Sequence, residues 1–340
     1  MKTINITVKK VLSFAMVCLT IGLSYADVCM GREFFRYLDI AGPGYLNTDS
    51  YDINNNGAIV GAGSDGTTIM SPFIYSAGKY TEVLPFAWEW AAANGINDYG
   101  VVAGYGNDGT STKGFIYNGK TYTEILPPGW MYAIGFKINN NGAVIGWGMD
   151  GNRTNKGFIY REGEYVELNP PGWQWADASA INDAGVVVGL GVDSIGRQKG
   201  FIYQGGEYSE ILPPGWQWAI ASGINNKGVV VGYGFDGKAL KGFIYNGVAY
   251  REVLPSAWTG ALAIDINDNG VVAGYGNDGT GSKGFIFNGI AYTKIEPAGW
   301  VEVMPQAINN DGVVTGKGID GAGVAKGFTA SPIRKIRTVR

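Results

Sequence analysis

Histidine is absent from all 340 residues. That removes the commonest general base and the commonest metal ligand, so any acid-base or metal chemistry would have to rest on carboxylates. Charge is sparse as well: charged residues make up 16% of the chain and the formal net charge is -3, with no basic excess of the kind a nucleic-acid partner requires. Cysteine occurs twice, as Cys18 and Cys29. Only one apolar run is at all long, Val11 to Leu23, and it falls short of the roughly 20 residues that cross a bilayer. No Pro/Ser-rich or charge-rich linker interrupts the chain, which argues for one large domain rather than two.

The apolar run follows Lys2, Lys9 and Lys10 and precedes Ser24-Tyr25-Ala26, which places small residues, Ser24 and Ala26, at the two positions a signal peptidase reads. Residues 1-26 are therefore expected to be a Sec signal cleaved after Ala26, sending a soluble protein to the periplasm or the cell exterior. Removing three lysines and no acid takes the mature chain to -6, and Cys18 leaves too, so Cys29 has no disulfide partner within the chain. Val17 and Val28 precede the cysteines, where a lipid-anchored protein would carry a small residue.

What the chain has in quantity is glycine, 55 residues, with aromatics at 13%, a composition that suits short strands and tight turns. Self-comparison shows why. Ile-Asn-x-x-Gly recurs with its Asn at 54, 97, 139, 182, 225, 267 and 309, in steps of 43, 42, 43, 43, 42 and 42 residues. Each unit carries four short β segments, here called a to d. In the fifth copy these are the stretch ending Gly223-Ile224-Asn225, then Val229-Val230-Val231-Gly232-Tyr233-Gly234, then Lys241-Gly242-Phe243-Ile244-Tyr245, then Tyr250-Arg251-Glu252-Val253. Segments b and c are apolar on consecutive residues, so both faces of each small sheet must be covered. Stacking sheets around an axis does this, and the repeat length is that of a propeller blade.

The ends of the chain point to a closed ring. The last copy stops after segment c, at Lys326-Gly327-Phe328-Thr329-Ala330, and the missing segment d stands at the start, as Phe35-Arg36-Tyr37-Leu38-Asp39-Ile40. The expectation is an all-β, seven-bladed propeller over residues 27-333, closed by an N-terminal strand that completes the last blade. Residues 334-340 form a short basic tail. The repeat, Ile-Asn-x-x-Gly-x-Val-Val-Gly followed by Gly-Phe-Ile-Tyr-x-x-Gly, resembles the HAF family of bacterial extracellular repeats, with Lys-Gly-Phe where that family has His-Ala-Phe. The order of elements is also similar to Kelch repeats. These resemblances imply an extracellular propeller and no particular reaction.

Two rings of residues should share the face that carries the b-c loops and the d-to-a links. One is aromatic: Tyr45, Trp88, Trp130, Trp173, Trp216, Trp258 and Trp300. The other pairs Asp65, Asp108, Asp150, Asp193, Asp236, Asp278 and Asp320 with Lys113, Lys156, Lys199, Lys241, Lys283 and Lys326. Read functionally, each blade offers an aromatic plate with hydrogen-bonding charges, a combination suited to sugar rings. Read structurally, each Trp packs between blades, each Asp-Gly makes a turn and each Asp-Lys pair is a surface contact. Trp90, Trp175 and Trp218 recur in only three copies and lean towards binding. One Asp per loop falls short of the about six to eight oxygens that calcium takes, and no cofactor is expected. Asn54 and its equivalents should bond their own turns, with Gly57 and its equivalents at positive φ.

The chain thus reads as a secreted, monomeric binding module for carbohydrate or a cell-surface protein, with a purely structural repeat protein as the alternative. Seven near-identical units offer no singular catalytic constellation. The exception is the residue before Ile-Asn, where Asp52, Lys137 and Asp265 replace Gly or Ala on the innermost strand. A glycan-acting enzyme would have to use Asp52 and Asp265 there.

Overall fold

In each repeat, β-branched and aromatic runs between Asn-Gly and Asp-Gly turns fold into a four-stranded antiparallel sheet, seven sheets in all among the described residues. The computed structural model describes residues 35-67 and 70-333. The proposed signal segment, Cys29 and the basic tail lie outside them. The chain divides into two units, Tyr37–Ser331 and the flanking Met1–Arg36 with Pro332–Arg340, and the blades belong to the first.

Blade 1 begins with β2 (Asn47–Ile53) and blade 2 with β6 (Trp90–Ile96). The corresponding inner strands of blades 3 to 7 are β10 (Trp130–Ile138), β14 (Trp175–Ile181), β18 (Trp218–Ile224), β22 (Gly260–Ile266) and β26 (Trp300–Ile308). Each sheet then runs outward in chain order, except the last. There β1 (Phe35–Ile40) lies beside β28 (Ala325–Pro332), outside β27 (Val314–Asp320) and β26, so the N-terminal strand closes a ring of seven blades. This removes the exposed sheet edge that an open stack would leave.

The core is a set of inter-blade layers. Phe115, the central residue of its Gly-Phe-Ile-Tyr segment, is wholly buried beside Val60 and Val83 of the preceding blade. Its counterparts Phe73, Phe158, Phe201, Phe243, Phe285 and Phe328 are each at most 1% exposed, and burying one such ring is worth about 2-3 kcal/mol. Strand b beds these rings on glycine. A Cβ at Gly104 would stand 2.2 Å from the carbonyl oxygen of Ala92 and 2.6 Å from Cζ of Phe115. Strand d locks blades 3 to 6 each to the one before: the backbone N–H groups of Leu126, Asn169, Leu212 and Leu254 donate to the hydroxyls of Tyr165, Tyr208, Tyr250 and Tyr292. At the seam, Tyr37 of β1 accepts in the same way from Glu296, at 3.1 Å.

The Asn of Ile-Asn makes its own turn as expected. In Asn54, Oδ1 accepts from the backbone of Asn56 and Ala58, and the seven turn glycines, Gly57 and its equivalents, sit at φ between 77° and 79°. Its Nδ2 does something the repeat alone does not disclose, donating to the carbonyl of the equivalent Asn in the next blade. The chain of bonds runs Asn54, Asn97, Asn139, Asn182, Asn225, Asn267, Asn309 and back to Asn54, each at 2.9-3.1 Å. The next residues, Asn55, Asp98, Asn140, Asp183, Asn226, Asp268 and Asn310, form a second closed ring: each backbone N–H donates to the following side chain at 2.8-2.9 Å. Asn and Asp alternate so that amides donate to carboxylates. An odd-membered ring cannot alternate throughout, and the single like pair, Asn310 and Asn55, falls at the closure.

Candidate functional site

The b-c loops consume the charges that line them. In blade 5, Oδ1 of Asp236 accepts from the backbone of Lys238 and Ala239, while Oδ2 pairs with Lys241 Nζ at 2.9 Å. Lys241 in turn meets Glu252 of strand d at 2.9 Å. Blades 2, 3 and 4 repeat this with Asp108-Lys113-Glu124, Asp150-Lys156-Glu167 and Asp193-Lys199-Glu210. The lysine and the turn amides hold all these aspartates below the usual carboxylate range. Blade 6 departs from the expected pairing. Lys283 is buried and donates to the carbonyl of Val301, and Asp278 is paired instead by Lys294, at 2.8 Å.

The Trp ring lies under that face rather than on it. Trp88, Trp216 and Trp300 are at most 9% exposed, and Trp130, Trp173 and Trp258 are partly buried. Each stands edge-on to the Phe of its own blade, with centroids 5.7-6.1 Å apart. The second glycine of strand b makes room for the indole: a Cβ at Gly234 would be 2.9 Å from Cε3 of Trp216. A ring held this way presents no open plate to a ligand; its place is that of an inter-blade wedge.

The aromatic surface that does face a cavity lies around the axis. Every inner strand carries a β-bulge just before its end, as between Ala178 and Ala180 or Ala263 and Asp265. A bulge sets two successive side chains on one side of the sheet. Both Phe136 and Lys137, both Ser179 and Ala180, and both Ile264 and Asp265 therefore line one chamber of about 450 Å³. Tyr105, Trp147, Leu190 and Tyr233, the residues between paired glycines of strand b, complete its wall. Towards the b-c loop face, further aromatics cross these rings: Trp90 on Tyr105, Tyr132 on Trp147 and Trp218 on Tyr233, at 5.7-6.4 Å and near-perpendicular. Trp175 holds the same register in blade 4. Blades 2, 3 and 5 thus each set a crossed aromatic pair on the chamber side of the sheet, and blade 4 carries Trp175 at the same register. These positions include the three extra tryptophans singled out in the sequence.

At the other end of the chamber stand the three exceptional residues. Lys137 Nζ meets Oδ1 of Asp52 at 2.8 Å, reaching past blade 2, where any Cβ on Gly95 would come within 2.9 Å of Cα of Lys137. Oδ2 of Asp52 accepts from the backbone of Ile96, and Asp265 accepts from Ile266 and Ile308. Desolvation pushes Asp265 up to about 6, against the opposing pull of Lys137 and the two amides. Asp52 lines a second, polar cavity of about 170 Å³ at the mouth circled by the Asn rings, and Asp265 lines both, so the charged layer lies between the two. Among the described residues no cluster of three or more His, Cys, Asp or Glu side chains is arranged to hold a metal ion. No helix among them is long and apolar enough to cross a membrane.

Comparison with protein-family models and with curated proteins returned no match. Among solved structures the chain is similar to YCF48 bound to a D1 peptide, at 11% identity and a TM-score of 0.53, over 90% of this chain and 97% of that one. The protein U3-55K matches at 12% identity and 0.52, over 87% and 98% of the two chains. This establishes the fold. The molecule is a seven-bladed β-propeller. A puromycin-hydrolyzing peptidase of Mycobacterium tuberculosis also matches this propeller at 11% identity and 0.52, over 91% of this chain and 57% of the peptidase. At such identities the likeness reaches no further than architecture.

Proposed function

We propose that this propeller is a secreted binding module that takes carbohydrate into the axial chamber, entered from the b-c loop face. The observation that carries this is the set of aromatics at the chamber in blades 2, 3 and 5, where Trp90, Tyr132 and Trp218 stand over Tyr105, Trp147 and Tyr233, with Trp175 at the same register in blade 4. Aromatic faces backed by a few hydrogen-bonding side chains, here Asn94, Ser179, Ser222 and Gln306, suit the apolar faces and hydroxyls of sugars. The HAF-like repeat and the signal-like N-terminus support an extracellular setting, where glycans are abundant. A non-enzymatic role is favoured by the charged layer: both oxygens of Asp52 and both of Asp265 are committed to Lys137 or to backbone amides.

The test is a panel of immobilised oligosaccharides probed with the mature chain and with Trp175→Ala and Trp218→Ala. Both variants should keep the native melting temperature to within a few degrees and lose most of the binding. Wild-type binding that survives in both variants sinks the axial site, and no binding to any glycan sinks the carbohydrate reading.

A further inference from the structure

One residue on the chamber side of its strand, Asp177, keeps a buried carboxylate oxygen without a partner. Asp177 sits mid-strand on β14, opposite Leu190, and at the equivalent register the neighbouring blades have Ile134 opposite Trp147 and Ile220 opposite Tyr233. All of these partners line the chamber. It projects on the same side of its strand as Ser179, a wall residue, and as Trp175. Its Oδ1 is buried and accepts no hydrogen bond. Five of the seven blades place Ala, Ile, Leu or Met at this position, namely Ala92, Ile134, Ile220, Leu262 and Met304. Blade 1 has Asp49, which is satisfied by Lys317 at 3.2 Å and by the hydroxyl of Tyr51.

The cations of the chamber are already spoken for. Lys137 is paired with Asp52 and Lys317 with Asp49, whereas Asp177 has no lysine or arginine within ion-pair distance among the described residues. An anionic ligand would meet this carboxylate as a like charge, and a neutral one would leave it uncompensated in a desolvated place. A ligand ammonium would answer both the carboxylate and the surrounding ring faces, whose quadrupoles attract cations.

We propose that the chamber selects glycans bearing a primary ammonium group, as in de-N-acetylated amino sugars, with Asp177 as counter-ion and Tyr132, Trp175 and Trp218 as the enclosing aromatic faces. This selectivity rests on the carbohydrate-binding reading of the same chamber. Tyr132 carries the electrostatic trace of this neighbour: its hydroxyl is raised first by desolvation and then by Asp177.

Binding at pH 7 is measured by calorimetry for three probes, a glucosamine hexamer, an N-acetylglucosamine hexamer and trilysine, against wild type and Asp177→Asn. Wild type should bind the glucosamine hexamer about tenfold more tightly than its acetylated counterpart, in line with a charge-assisted hydrogen bond. Asp177→Asn should abolish that preference by weakening the glucosamine hexamer, and should bind the acetylated hexamer no more weakly than wild type does. Equal affinity for the two hexamers in wild type, or a preference that survives Asp177→Asn, overturns this inference alone and leaves the carbohydrate site standing. Trilysine bound as tightly as the glucosamine hexamer also overturns it, because charge without a sugar would then suffice. Failure of every glycan, with Trp218→Ala indistinguishable from wild type, removes the binding reading together with this one.

Discussion

Removing one side chain from the inner Asn ring tests whether closure is held by that ring. In Asn182, Oδ1 accepts from the backbone of Val186 at 3.0 Å and Nδ2 donates to the carbonyl of Asn225 at 3.1 Å. Asn182→Ala forfeits both bonds, each worth about 1 kcal/mol net, and leaves the Val186 N–H without a partner in a turn closed to water, which costs about 1-2 kcal/mol more. The expected loss is about 3-4 kcal/mol, or about 5-8 °C in melting temperature for a domain of this size. Asn182→Asp separates the two roles, since a carboxylate keeps the turn bond but sets an acceptor against the carbonyl of Asn225. That repulsion raises the carboxyl's folded pKa above its unfolded value. Asn182→Asp should therefore be most stable where the acid is protonated and able to donate, near pH 4, and should lose stability as pH rises through the raised value. Equilibrium denaturation followed by Trp fluorescence at pH 4.5 and 7.5 reads both variants. If each costs less than about 1 kcal/mol at pH 7.5 and Asn182→Asp shows no pH dependence, the ring is incidental to closure.

Three further outcomes rest on the core and chamber contacts. Trp216→Ala should cost about 3-5 kcal/mol in denaturant unfolding, in contrast to the small effect expected at Trp218, because the first wedges between blades and the second faces the axis; Gly232→Ala should be at least as severe, as its Cβ would meet the carbonyl oxygen of Ile220 at 1.9 Å. Asp177, raised to about 6 by desolvation, binds a proton in the folded state that the unfolded chain has lost, so together with Asp265 it should make the wild type less stable as pH rises from about 4 to 6; Asp177→Asn should reduce that slope, leaving the part that Asp265 contributes, and gain about 1-2 kcal/mol at pH 7.5 after solvent screening, and an unchanged slope refutes the assignment.

The repeat itself determined the number of blades, the four segments in each, the turn role of Asn54 and its equivalents, and the placing of the N-terminal strand in the last blade. These are local matters, set by turn chemistry and by apolar runs that recur every 42 or 43 residues. Tertiary structure alone decided what converges on the axis. Two-residue alternation puts one of any two neighbours on each side of a strand, so it could not anticipate the bulge that turns both Ile264 and Asp265 inward. Nor could it show that the Trp88 series points between blades while Trp90 and Trp218 face the axis, because two residues apart on a strand looks the same in either setting. The pairing of Asp52 with Lys137, 85 positions away, depends on how far each blade is rotated about the ring. A signal was nonetheless present in the residue between the paired glycines of strand b. It is Ala62, Tyr105, Trp147, Leu190, Tyr233, Tyr275 and Lys317 in turn, and such divergence inside an otherwise uniform repeat marks the positions that face the axis instead of a neighbouring blade. Packing between like blades demands like residues, and the lumen, which packs against nothing, does not.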